Sequence, residues 1–304
     1  MNIILLITLV ASARYVATEE VVTDTGLDIV DLADRLGFYS YLLAADETNL
    51  TDTLRSASNI TLFIPTNEAF LSLSQPTRDI WAADVKFYTR LMKYHVIKGA
   101  YMAADLLDEH LYDTLDNSLV RIDSYNSSQP TPFTDYANSR IIQSNFRATN
   151  GFIHVIKDVV LDIEDRTILD WVAENKNLSL FFNGTTIVPS VQALLNNAMA
   201  PFTLFVPTNK AIDSLPKGTW ERLMRDPTSM TDVLNGHIVN ETFYSNGLVK
   251  GDVLQTVNKL AKLTVGLQGD KLFINTAQVI QGNNGALNGV IHIVNQVLLP
   301  KISS

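Results

Sequence analysis

Apolar residues along the chain change their period several times, and each change marks an element. Leu27, Val30, Leu32, Ala33 and Leu36 recur at near-helical spacing, Gly37 interrupts, and Phe38 to Ala45 resumes an apolar run. Helices are predicted there and again from Leu50 to Ala57. Leu62, Phe63 and Ile64 then form a short β-prone run without helical spacing, which predicts a strand buried on both faces. Pro65 has no N–H to donate and ends the ladder. Thr66 or Asn67 can cap a following helix that buries Ala69, Phe70 and Leu73. Asp84 caps another, in which Val85, Tyr88, Leu91 and Met92 recur at intervals of three and four, and which runs into a strand and turn at Tyr94-His95-Val96-Ile97-Lys98-Gly99. The remainder of this half reads as β, with strands at Leu119 to Ile122, Ile141 to Gln143 and Phe152 to Leu161. Ser124 to Ser139 contains Ser127-Ser128-Gln129-Pro130-Thr131-Pro132 and reads as a loop.

The pattern then starts again. Thr61-Leu62-Phe63-Ile64-Pro65-Thr66-Asn67-Glu68-Ala69-Phe70 returns as Thr203-Leu204-Phe205-Val206-Pro207-Thr208-Asn209-Lys210-Ala211-Ile212, seven of ten positions being identical. Helices are predicted at Ile168 to Glu174 and Val191 to Leu195, and another ends near Leu234. Strands are predicted at Val253 to Val257, Leu263 to Leu267, Leu272 to Asn275 and Val290 to Leu299, with a hairpin turn at Gly269-Asp270. Thr61 to Thr203 and His95 to His237 are both separated by 142 positions, whereas Asn150-Gly151-Phe152-Ile153-His154 returns as Asn288-Gly289-Val290-Ile291-His292 after 138. Two copies of one α+β domain, over residues 26–161 and 163–300, account for this order. Asp162-Ile163-Glu164-Asp165 between them is short, so a restricted relative orientation is expected.

Composition agrees with two globular units, since 46% of the 304 residues are hydrophobic and 18% charged. A formal net charge of −9 argues against nucleic acid, whose phosphates require clustered Lys and Arg, and gives no support to an anionic membrane surface. Residues 1–13 read as a secretory signal: Ile3 to Val10 is too short to span a bilayer, and Ala11-Ser12-Ala13 matches the small-residue cleavage pattern, although cleavage could fall as late as residue 17. Residues 14–25 read as a polar leader. Six Asn-x-Ser/Thr sequons, headed by Asn49, Asn59, Asn126, Asn177, Asn183 and Asn240, support an extracellular, glycosylated protein. Absence of cysteine removes disulfides, thiolate metal sites and cysteine nucleophiles together. The end of the sequence after Leu299-Pro300 carries no apolar tail, so neither a glycosylphosphatidylinositol anchor nor a transmembrane helix is expected.

The three recurring landmarks resemble the fasciclin-type domain, twice and in order, over nearly all of the chain after about residue 25. Its first signature is similar to Thr61 to Phe70 and Thr203 to Ile212, its central Tyr-His to Tyr94-His95, and its closing Asn-Gly-x-Ile-His to Asn150 to His154 and Asn288 to His292. The resemblance implies, for each half, a wedge-like β-sandwich with packed helices. It also implies a secreted adhesion or matrix protein whose partners are cell-surface receptors, integrins among them, or matrix proteins and glycans. Two departures stand out. The second half has Gly236-His237 at the Tyr-His place, and the Asp-Ile pair that precedes the closing signature in vertebrate matrix members reads Asn145-Phe146 and Asn283-Asn284 here.

Little in the sequence points to catalysis, and no enzyme activity, cofactor or metal is expected. Four of the five histidines, His95, His154, His237 and His292, fall at equivalent places in the two copies, which reads as a structural slot because one active site would not need both. His110 has no counterpart and reads as surface. No Gly-x-Ser-x-Gly elbow, His-Glu-x-x-His helix or phosphate-binding loop occurs, and Gly282 to Gly289 reads as a loop between strands. Asp105, Asp108 and Glu109 read as a solvated turn. Three residues carry the adhesion expectation. Tyr94 and His95, by resemblance, either anchor an interface or pack where helix meets strand. Asp252 of Lys250-Gly251-Asp252 either presents a carboxylate to a receptor's cation or forms a turn into a strand. The alternative function is a soluble carrier or lectin-like module holding an apolar or carbohydrate ligand between helices and sandwich.

Overall fold

The computed structural model describes residues 26–125, 133–161, 163–259 and 261–299. The expected signal and leader and the sequon at Asn126 lie outside the described residues. The first domain runs α1 (Ile29–Arg35), α2 (Tyr39–Glu47), α3 (Thr51–Ser56), β1 (Ile60–Pro65), α4 (Asn67–Leu71), α5 (Gln75–Ala83), α6 (Val85–Tyr94), β2 (Val96–Lys98), β3 (His110–Asp113), β4 (Leu119–Tyr125), β5 (Phe133–Tyr136), β6 (Ser139–Ala148) and β7 (Gly151–Ile156). The second runs α7 (Ile168–Glu174), α8 (Ser179–Thr186), α9 (Pro189–Leu195), β8 (Phe202–Pro207), α10 (Asn209–Asp213), α11 (Thr219–Leu223), α12 (Pro227–Asn235), β9 (Ile238–Asn240), β10 (Val253–Gln255), β11 (Lys262–Gln268), β12 (Lys271–Ile274), β13 (Ala277–Ala286) and β14 (Gly289–Val294).

The repeated signature builds the same corner in both domains. All six residues of β1 and of β8 are buried, and the Thr66 and Thr208 hydroxyls accept from the Ala69 and Ala211 N–H groups to cap the next helix. β1 lies parallel to β7, and β8 to β14, while the other strand pairs are antiparallel. The order β2-β1-β7-β6-β5-β4-β3 is repeated as β9-β8-β14-β13-β12-β11-β10. Each seven-stranded sheet folds over on itself: a bridge from Ile97 to Thr114 joins the β2 edge to the end of β3, and Val239 to Thr256 does the same in the second domain. Phe63 of β1 stacks on Tyr136 of β5 with ring centroids 3.9 Å apart, so opposite strands meet across one core.

The Asn-Gly of the closing signature clamps helices to this core. Asn150 accepts from the Ile29 N–H and donates to the carbonyls of Leu54 and Ala57, tying α1 and α3 to the start of β7. Asn288 repeats the arrangement with Ile168, Leu195 and Asn197. A Cβ on Gly151 would stand 1.8 Å from the Ile60 carbonyl oxygen, and one on Gly289 1.8 Å from that of Phe202, so the parallel pairing requires glycine.

Several elements differ from the sequence pattern. The loop expected from Ser124 to Ser139 contains β5. The strand expected at Ile141 to Gln143 is ten residues long, and those expected to reach Leu161 and Leu299 stop at Ile156 and Val294. Gly282 to Ala286, expected to be loop, belongs to the bulged strand β13, whose register shifts twice against β14. α5 and α8 were not expected at all.

Candidate functional site

The four repeated histidines are fully buried and fully bonded. His95, at the C-terminal end of α6, donates from Nδ1 to the Leu91 carbonyl at 2.8 Å and accepts at Nε2 from the Val160 N–H at 3.2 Å. His237 does the same with Val233 and Leu298. His154 and His292 take the opposite tautomer: Nε2 donates to Tyr101 and Phe243 carbonyls, and Nδ1 accepts from Asn145 and Asn283 N–H groups. Burial lowers all four to about 4, so each ring is neutral and has no lone pair left for a ligand. Among the described residues no group of three or more His, Asp or Glu side chains is placed to hold a metal.

Tyr94 is likewise buried, donating to the Leu119 carbonyl at 3.3 Å while its own carbonyl accepts from Tyr136. Neither Tyr94 nor His95 offers any side-chain surface in this fold. Asp252 is half-buried. Its Oδ2 accepts from the Val249 N–H at 2.9 Å within its own turn, beside exposed Lys250 and Gly251. Asn145 and Asn283, at the place of the Asp-Ile aspartate, sit at strand bulges and spend Oδ1 on the N–H groups of Ala103 and Ser245. Asn49, Asn59, Asn177, Asn183 and Asn240 are all exposed, and His110 is exposed with its ring edge-on to Tyr112.

A polar interface between the domains was not foreseen. On β4, Val120 and Ile122 face the first core, while Arg121, Asp123 and Tyr125 alternate with them, and this opposite set is also buried. What covers it is the segment Thr242–Gly247 and the turn at Leu287. Arg121 donates to the Glu109 and Leu287 carbonyls, and the Glu109 carboxylate accepts from the Thr242 N–H and hydroxyl. Tyr125 donates to the Thr242 carbonyl and accepts from the Tyr244 N–H. Asn246 donates to Asp135 at 2.6 Å, and Tyr244 to Glu164 of the connecting segment at 2.6 Å. A Cβ on Gly247 would stand 2.2 Å from the Tyr125 ring, so the contact also requires glycine there. The turn expected at Glu109 is thus part of an interface. Burial raises Glu109, raises Asp135 to about 6 against the Asn246 hydrogen bond and Arg140, and raises Asp123 with help from the charges of Glu109 and Glu164. The one available signal was the polar alternation Arg121-x-Asp123 inside an apolar strand.

Comparison with known proteins accounts for the repeat. The family model described as the fasciclin domain matches residues 37–162 and 177–300. Transforming growth factor-beta-induced protein ig-h3 of Oryctolagus cuniculus is 27% identical over 283 residues, covering 90% of this chain and 40% of that protein. Periostin of Homo sapiens is 29% identical over 259 residues, covering 84% and 30%. Fasciclin-1 of Schistocerca americana is 26% identical over 275 residues, covering 78% and 39%. The chain therefore spans less than half the length of these relatives. Among solved structures, the FAS1 domain pair from the insect cell adhesion molecule fasciclin I matches with a TM-score of 0.44 and 20% identity, over 88% of this chain and 97% of that one. No helix among the described residues is long and apolar enough to cross a membrane. With one match over each seven-stranded domain, the chain belongs to the fasciclin-domain family, as two such domains in tandem.

Proposed function

We propose that the chain is a secreted, non-enzymatic adhesion protein that contacts cell-surface receptors or matrix components through its two domains. The observation that carries this reading is the double match to the fasciclin domain, together with the likeness to periostin and transforming growth factor-beta-induced protein ig-h3. The chemistry of the repeated residues agrees with it: histidines and asparagines that could have formed a site are spent on backbone groups. Two linked modules docked through the interface would favour multivalent contact with an array of partners. Asp252 is the candidate for a receptor's cation, since Lys250-Gly251-Asp252 forms a surface turn.

The test is spreading of receptor-bearing cells on the immobilised mature protein, with and without EDTA. Chelator-sensitive spreading that Asp252→Asn abolishes is expected, since the amide oxygen still accepts from Val249 and preserves the turn. Tyr94→Ala is expected to reduce spreading only together with the melting temperature, because the side chain is internal. Absence of adhesion at every coating density, from protein shown to be folded, overturns the reading.

A further inference from the structure

Between α2, α4, α5 and α6 the first domain carries a groove of about 490 Å³. Phe70, Trp81 and Tyr88 form its aromatic floor, with Trp81 and Tyr88 stacked at 5.0 Å between ring centroids. Its walls include Leu43, Leu71 and Val85, which are 62%, 71% and 55% exposed. A concave apolar surface of this size with few charged groups has the build of a ligand site, and apolar side chains this exposed carry a solvation cost that folding does not require.

The second domain provides an internal control. The Ser40 N–H donates to Asn67 Oδ1 and the Leu180 N–H donates to Asn209 Oδ1, so the two helix pairs superpose with Ser40 on Leu180 and Asn67 on Asn209. That register places Leu43 on Asn183, Ala44 on Gly184 and Leu71 on Asp213. The slots that are apolar and exposed in the first domain are therefore amide and carboxylate in the second, in the same fold. The corresponding groove there has Lys217, Glu221 and Arg225 among its lining, and Trp220 lies over Gly184, 3.1 Å from where a Cβ would stand. The fold does not need Leu43 and Leu71 to be leucine.

Charge selects the occupant. Arg78 lines the groove and is anchored through Nη2 to the carbonyls of Leu71 and Leu73, yet it has no carboxylate within ion-pair distance among the described residues. Glu47, the other charged lining residue, acts on the Tyr88 hydroxyl and repels an anion placed beside it. We propose that this groove is a binding site for a medium- or long-chain aliphatic carboxylate, its chain between Leu43, Leu71 and Val85 and over the Trp81–Tyr88 stack, its carboxylate on Arg78.

Isothermal titration of the full two-domain protein with decanoate and with decan-1-ol tests this. Saturable binding of one decanoate per chain is expected, with the alcohol about tenfold weaker, the ratio that one charge-assisted hydrogen bond confers. Arg78→Gln should remove the acid's advantage, leaving decanoate bound no more tightly than the alcohol. Leu43→Asn with Leu71→Asp, the residues of the second domain, should remove binding of both while leaving the melting temperature unchanged. Three results overturn the proposal: no saturable binding, decanoate binding that survives the Leu43/Leu71 pair, or equal affinity for acid and alcohol in the parent. A concentration-dependent dimer that the Leu43/Leu71 pair abolishes and decanoate does not displace would assign the groove to a second copy of the chain instead.

Discussion

His95 and its counterpart His237 show how one residue type serves as a fixed part of a fold. Each ring joins the last turn of a helix to the segment after the closing strand, and it does so only when neutral, because one nitrogen must donate and the other accept. Folded values of about 4 lie below the ordinary 6.5, so the unfolded chain binds the proton first. The stability these rings supply is complete above pH 6.5 and is lost progressively as pH falls towards 4, on the order of 3 kcal/mol per histidine. Melting temperature followed from pH 7 to pH 4 is expected to fall over that window. A flat profile would mean that the rings are solvated. That these histidines are structural was legible from their duplication alone. Which backbone groups they bind was not, because Val160 and Leu298 reach them only through the fold.

At the scale of elements, the signature strands were the clearest part of the sequence, since a short apolar run ended by proline leaves few alternatives. Phe63 and Phe205 are both fully buried, Phe63 against Tyr136 and Phe205 against His292. Replacing either by Ala is expected to cost about 3–5 kcal/mol, read by denaturant unfolding of each variant. Loss of under about 1 kcal/mol at both positions would contradict the buried strands. Strands β5 and β13 escaped the pattern for different reasons. β5 is four residues long beside a Ser/Pro-rich stretch, and its Asp135 faces the other domain, so its alternation looks like a polar loop. β13 carries Gln281, Gly282, Asn283, Asn284 and Gly285, residues with poor β-propensity, and takes φ 59° at Asn283. Pairing with β14 holds it, together with the hydrogen bonds of the bulge to His292 and Ser245.

At the scale of the whole molecule, the short connection already implied a restricted pair, but the partner of each polar side chain at the interface depends on tertiary docking and has no local signature. That interface gathers Glu109, Glu164 and Asp135 around buried Asp123, with the buried guanidinium of Arg121 against Asp123 and Glu109. Asp135 meets Asn246 from the second domain, with Arg140 and Asp158 acting on it from its own. Asp123 faces Arg121, Glu109 and Glu164. Burial holds Asp135 up at about 6 and Asp123 well above the usual carboxylate range, so the docked pair binds protons that these carboxylates would release once separation exposed them. Docking is therefore strongest below the ordinary carboxylate values and weakens as pH rises through about 6, the opposite slope to that of the buried histidines. Small-angle scattering at pH 5 and pH 8 is expected to show a larger maximum dimension at pH 8, with far-ultraviolet circular dichroism unchanged. Asp135→Asn should keep the Asn246 contact and shrink the difference. Arg121→Gln, which leaves Glu109 and Asp123 without their cation, should extend the pair at pH 8 beyond the parent. Identical scattering at both values in the parent would show that the acidic cluster is neutralised without protons, and that the two domains move as one body throughout the physiological range.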